Sequence, residues 1–372
     1  VQAEASDKVT IFLHANVTEV LLTPDGSRVE AVLVRNFRGD RFRFEADEVV
    51  LSAGTIETSR LLLQSRSIQP AGVGNTYGRV GVGFHDHVTL PLGDLRGETR
   101  SRMLQWFGPF LVNGTTHTAK LEADNATRSR EHLLAVMAYL TLVEPERSGA
   151  GVVRDLLRAM QRGNHGAALR RALPQLPNVA IGMVRMAWAM KVRKRRDVSA
   201  DAVITLRIDS EQFLSHSRIT LCAEQRDALD QPKAVVDWSI SDEEILGLLR
   251  FAVLLQDRLA AAGLQQVDWK PEIVEALRIL RRDAEVPPNL LDRVRAGASD
   301  TFHPMGGTVM GTDPVTSVVD TKLRVHGVPN LSIASASVYP AGGSSNPTFT
   351  LMALTLQLAD RLCAGHLAGA QA

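Results

Sequence analysis

Two cysteines in 372 residues, Cys222 and Cys363, are too few for a disulfide framework and stand in no metal-ligand spacing. Charge of one sign is equally scarce. The 42 Lys and Arg against 41 Asp and Glu leave a net charge of +1, without the basic surplus a general nucleic-acid partner needs to neutralise phosphates. No apolar run approaches the roughly eighteen residues of a membrane span. Also missing is a Gly-x-Gly-x-x-Gly turn between a strand and a helix, the device by which a dinucleotide fold holds pyrophosphate, with an acidic residue about twenty positions on for the ribose. The nearest match, Gly72-Val-Gly74, has Tyr77 at the third place and no amphipathic helix after it, so it reads as a loop.

What is present suits a globular chain long enough for two domains. Residues 9–13, 17–22, 29–35 and 41–45 read as strands, parted by the turns Pro24-Asp-Gly26 and Arg38-Gly-Asp40. Residues 48–54 form a buried strand of the parallel type. It ends in small residues, Ser-Ala-Gly54, before an amphipathic helix near 56–64, the kind of place where a dinucleotide approaches backbone in open α/β sheets. His85 and His87 flank Asp86, but no third ligand group accompanies them, and the stretch 81–87 reads as a polar crossover loop. From 88 to 299 the pattern changes to longer strands, expected at 132–142, 202–208, 218–223 and 233–240, mixed with helices. Ser241-Asp-Glu-Glu244 is a capping box opening a long helix that stops at Gly263. Residues 178–190 are apolar except for Arg185 and abut the basic run Lys191-Val-Arg-Lys-Arg-Arg196. That pairing describes a surface helix and admits a weak membrane-surface contact through 178–196.

The chemistry concentrates in the last seventy or so residues. His303 stands in Thr301-Phe-His-Pro-Met-Gly-Gly-Thr-Val-Met-Gly311, and Asn346 lies 43 residues downstream in Ala341-Gly-Gly-Ser-Ser-Asn-Pro-Thr-Phe-Thr350. Asn346 followed by Pro347 reads as the cap and first position of a helix. Its apolar residues Phe349, Leu351, Leu354, Leu358 and Leu362 fall largely along one face before Gly365. A helix N-terminus favours negative charge. Imidazole is the side chain matched to proton transfer near neutral pH, whereas a carboxamide orients an oxygen by hydrogen bonds.

These motifs, with Ser317-Val-Val-Asp320, Arg324-Val-His-Gly-Val-Pro-Asn-Leu331 and the small-residue run 333–337, resemble the C-terminal signature of the GMC (glucose–methanol–choline) oxidoreductases. Residues 49–63 resemble the family's second signature, and 217–229, leading to Val235-Val-Asp-Trp238, a segment of members acting on sugars and polyols. The resemblance implies an α/β (α+β overall) protein. It would join a partial FAD-binding Rossmann-like domain, residues 1–87 and 300–372, to a substrate domain, 88–299, with a mixed or antiparallel sheet and helices. It implies FAD as cofactor, held by Val17, Ala53, Gly54, Ser335, Ala336, Asn346, Pro347 and Thr348. Many members carry Asp where Ser335 stands, so backbone N–H groups of Ser335 and Ala336 are expected to serve there. His303 and Asn346 would be the catalytic pair, passing hydride from an alcohol, sugar or polyol to flavin N5. The acceptor that reoxidises the flavin, whether oxygen, quinone or cytochrome, is left open. Relative to the family, Val1 falls inside the FAD domain, past its nucleotide-binding unit; the cytoplasm is the working expectation for compartment. The alternative is a catalytically silent GMC-like remnant serving as a binding or assembly subunit.

Overall fold

The structure is a computed structural model that describes residues 6–145, 176–213 and 217–369. The chain divides into two compact units, one from Val1–His87, Glu211–Ser241 and Asp300–Ala372, the other from Val88–Ser210 and Asp242–Ser299.

In the first unit, Asn16–Leu22, Val29–Arg35 and Arg41–Phe44 make an antiparallel meander in that order. Alternation along the first strand buries Val20 and Leu22, the period-two pattern of a half-buried sheet. The strand expected at 9–13 does not form. Its apolar side chains alternate, but Val9, Ile11 and Leu13 stand exposed, and Phe12 rests on the Phe44 ring at 4.8 Å between centroids. Val49–Leu51 pairs in parallel with Leu331–Ile333, Val50 opposite Ser332. The helix Gly54–Gln64 follows directly, burying Leu61, Leu62 and Leu63. Around this pair lies the unit's core, including Leu22, Leu62, Met305, Leu331, Ile333 and Val338.

The hairpin Arg218–Arg226 and Pro232–Asp237 corrects the expected domain boundary, since it belongs to this unit and not to the second. Arg60 explains why: from the Gly54–Gln64 helix it donates to the Pro232 carbonyl at 2.7 Å and to Asp227 at 2.5 Å. Val82 and Arg218 add a backbone bridge.

The second unit is built on a sheet in the order Val267–Trp269, His87–Leu95, Val203–Glu211, Val136–Val143 and Leu121–Glu122. Leu90, Leu92, Ile204, Leu206 and Ile208 are buried on it. The helix Asp242–Ala261 opens with three acidic residues and buries Ile245, Leu248, Leu249 and Leu255. It ends at Gly263, whose φ of 70° suits glycine. The helix Leu176–Trp188 exposes Ile181, Val184 and Trp188. Among the described residues no helix is long and apolar enough to cross a membrane.

Candidate active site

The segment before the first unit's exit is clamped to the His303 loop by backbone. His85 N–H donates to the Met305 carbonyl at 2.9 Å, and Met305 N–H returns to the His85 carbonyl at 2.8 Å. A Cβ on Gly306 would lie 1.8 Å from the Gly83 carbonyl oxygen, so the two segments approach this closely only with glycine there.

Asp86, buried at 4 % exposure, then gathers the loop. Its Oδ1 accepts from His87 N–H (2.6 Å), the Thr301 hydroxyl (3.0 Å) and Thr301 N–H (3.3 Å), while Oδ2 accepts from His303 N–H (2.9 Å). Phe302, between the two clamped residues, takes a left-handed φ of 61° and is 86 % exposed. That strained turn puts Thr301 and His303 on the carboxylate together. From behind, Asp86 N–H donates to Gln212 Oε1 at 3.1 Å, which also accepts from Trp238 Nε1 at 2.6 Å.

His303 is half-buried. Its Nδ1 lies 3.2 Å from His87 Nδ1 and 3.0 Å from Thr301 Oγ1, the two rings meeting edge-on at 5.4 Å. His87, fully buried, reaches the Gly343 carbonyl through Nε2 at 2.9 Å, and Gly343 N–H donates to Glu211 Oε2 at 2.8 Å. A Cβ on Gly342 would come within 3.3 Å of His87 Nε2. His85 turns elsewhere, donating from Nδ1 to the Gly83 carbonyl at 2.9 Å, with burial pushing its pKa down. Among the described residues no group of three His, Cys, Asp or Glu is arranged to hold a metal ion.

Asn346 follows Gly343 by three positions and is exposed. It is not the helix cap. The helix is Thr348–Gly369, and the first bond into it runs from Leu351 N–H to the Pro347 carbonyl at 3.0 Å, so Pro347 takes the cap position. The Tyr339 hydroxyl donates to that same carbonyl at 2.8 Å and pins it. Phe349 leaves the expected apolar face and is 83 % exposed, whereas Leu351, Leu354, Leu358 and Leu362 pack on the core.

Of the remaining residues expected at a cofactor, four follow the carboxyl ends of the two parallel strands. Leu51 leads to Ala53 and Gly54, both exposed, with Gly54 at φ 77° as the helix begins. Ile333 leads to Ser335, buried, whose Oγ caps Ser337 N–H at 3.2 Å, and to Ala336. Val17 is 41 % exposed on its strand, and Thr348 is exposed beside half-buried Pro347. Crevices outside the carboxyl ends of parallel strands are where open α/β sheets bind nucleotides. Small residues and a helix start there fit a flavin dinucleotide lying against backbone.

Sequence reasoning missed Asp86, His87, Thr301, Glu211 and Gly343 as site residues. The signal for two of them was visible: adjacent Asp and His, uncommon in a buried segment unless paired.

Comparison with known proteins decides the family. GMC oxidoreductase profiles match residues 1–89 and 214–355. The chain belongs to the GMC oxidoreductases. This family's fold neighbours are FAD-binding flavoproteins, and FAD is its cofactor. The chain is 23 % identical over 347 residues to the fructose dehydrogenase large subunit of Gluconobacter japonicus, covering 93 % of this chain and 52 % of that protein. It is 26 % identical over 349 residues to 2-methyl-1,2-propanediol dehydrogenase of Mycolicibacterium austroafricanum, covering 93 % and 53 %. This GMC chain thus spans about half the length of these relatives. Among solved structures, formate oxidase of Aspergillus oryzae RIB40 aligns with a TM-score of 0.55 at 18 % identity, over 98 % of this chain and 63 % of that one; at that identity the likeness is one of fold.

Proposed function

We propose that this GMC chain contributes the catalytic half of an FAD-dependent enzyme that oxidises the CH–OH group of a small alcohol, sugar or polyol. Bound FAD supplies the hydride acceptor at flavin N5. His303 takes the hydroxyl proton, and Asn346, which has no useful basicity, donates hydrogen bonds that orient the substrate oxygen as charge develops. The observation that carries this reading is the Asp86 clamp: a buried carboxylate takes the N–H groups of residues 301 and 303 and holds an imidazole at a fixed place beside a second one. Such support is what a proton-transfer group needs and a plain loop does not.

His303→Ala in the FAD-loaded protein tests it. Anaerobic flavin bleaching by a panel of alcohols and sugars should slow about 100- to 10,000-fold, the usual worth of a positioned general base, with the bound-flavin spectrum intact. Bleaching at the wild-type rate would refute the role. If no alcohol or sugar bleaches wild-type flavin, the silent-subunit reading takes over.

A further inference from the structure

The clamp holds His303 in place, but a base also needs its lone pair on the right nitrogen. We propose that His87 is a positioning residue that keeps His303 in the Nδ1–H tautomer, so that the lone pair stands on Nε2. The inference rests on His303 being the base and adds which atom of it acts and what enforces that.

Two independent chains of contacts lead to the same tautomer. The first starts at Gly343. A carbonyl oxygen only accepts, so the 2.9 Å contact from His87 Nε2 requires a proton on that nitrogen. A neutral imidazole carries one N–H, which leaves His87 Nδ1 an acceptor. The 3.2 Å contact between the two Nδ1 atoms then needs its proton from His303. The second starts at Asp86. Thr301 has a single hydroxyl proton and gives it to Asp86 Oδ1 at 3.0 Å. Toward His303 Nδ1, at 3.0 Å, Thr301 Oγ1 is therefore an acceptor as well, and His303 Nδ1 must again be the donor. One N–H shared between two acceptors leaves Nε2 as the basic nitrogen of the neutral ring.

The Gly343 end gives the arrangement a second consequence. Gly343 has a φ of 63° and its N–H is held by Glu211, so its carbonyl is presented to His87 by a fixed turn. That turn lies three residues before Asn346. The ring that sets the protonation of His303 is therefore tied to the loop that carries Asn346.

The test is a long-range 1H–15N spectrum of protein labelled with 15N-histidine at pH 8, with rings assigned by single substitution. His303 should be protonated on Nδ1 and His87 on Nε2. His87→Asn keeps an oxygen acceptor near the former Nδ1 and should leave the His303 tautomer unchanged. His87→Leu combined with Thr301→Val removes both acceptors. It should move His303 to the Nε2–H form and slow flavin reduction by roughly 100-fold or more, since a base with its proton on the working nitrogen forfeits its contribution. Substrate KM should change little, because the loss falls on the proton-transfer step. Should the double variant fail to fold by circular dichroism, the wild-type and His87→Asn spectra decide alone. A wild-type His303 protonated on Nε2 overturns the inference even where His303→Ala abolishes flavin reduction. The reverse pattern, Nδ1–H with a fully active His303→Ala, leaves the tautomer assignment standing and removes the base.

Discussion

His85, next to this arrangement but outside it, carries a pH dependence of its own. The side chain has no exposure, its Nδ1–H is spent on the Gly83 carbonyl, and its Nε2 is buried without a partner among the described residues. Protonating Nε2 would place a charged N–H where nothing accepts it, so burial lowers the folded-state pKa below the usual histidine value. The bond to the Gly83 carbonyl works against this, neighbouring His87 adds to it, and Glu211 and Asp86 oppose it, burial being the largest influence. The sign follows. Above the unfolded pKa of about 6.5 both states are neutral and stability is full. As pH falls below it the unfolded chain binds the proton first, and stability is lost at up to about 1.4 kcal/mol per pH unit until the folded value is reached. Thermal midpoints from pH 8 to 5 should therefore fall more steeply for wild type than for His85→Asn, whose amide still donates to Gly83. Parallel curves would remove the assignment.

At the scale of elements, legibility followed locality. The helix Gly54–Gln64, the meander strands 16–44 and the helix Asp242–Ala261 were readable because their apolar periods and turn residues are local. Residues 9–13 carry the same alternation and form no strand, since alternation says which face is apolar and not whether a neighbouring strand exists to take the backbone. Phe349 fits a helical stripe yet stands exposed for the same reason. In the site, His303 was legible from its own glycine-rich loop; His87 was not, because its meaning depends on a ring 216 positions away. The hairpin Arg218–Asp237 was put in the wrong domain because the residue that claims it, Arg60, lies far upstream. Arg60 is 13 % exposed in its side chain and Asp227 29 %, so their bond is partly shielded from water. Arg60→Ala should cost about 1–2 kcal/mol after allowance for screening. Its particular mark is local: amide hydrogens of 218–237 should exchange faster while those of the meander do not. Uniform loss of protection across the first unit would show that Arg60 supports the core and not the hairpin.

Taken whole, the chain visits its first unit three times, and the candidate site draws on each visit: Asp86 and His87 from the first, Glu211 from the second, His303 and Gly343 from the third. Something must register the first visit against the third, and Asn330 does so with one buried side chain. Its Oδ1 accepts from Val29 N–H at 2.8 Å, its Nδ2 donates to the Val29 carbonyl at 3.0 Å and to the Asp47 carbonyl at 3.2 Å, and its own carbonyl accepts from Val49 N–H at 2.9 Å. The bonds to Val29 span 301 residues of sequence. Asn330→Ala keeps the backbone bond but strands both backbone groups of Val29, itself buried, and should cost about 2–4 kcal/mol in urea unfolding. Asn330→Asp is the sharper probe. It keeps the acceptor for Val29 N–H but turns a carboxylate oxygen toward two carbonyls in a buried place, so its loss should exceed that of alanine although its shape is nearly unchanged. If the aspartate proves milder than the alanine, or the alanine stays within about 0.5 kcal/mol of wild type, the side chain is a bystander, and the parallel strand pair Val49–Leu51 and Leu331–Ile333, with the His85–Met305 backbone clamp and the Asp86 bonds, holds the first and third visits together.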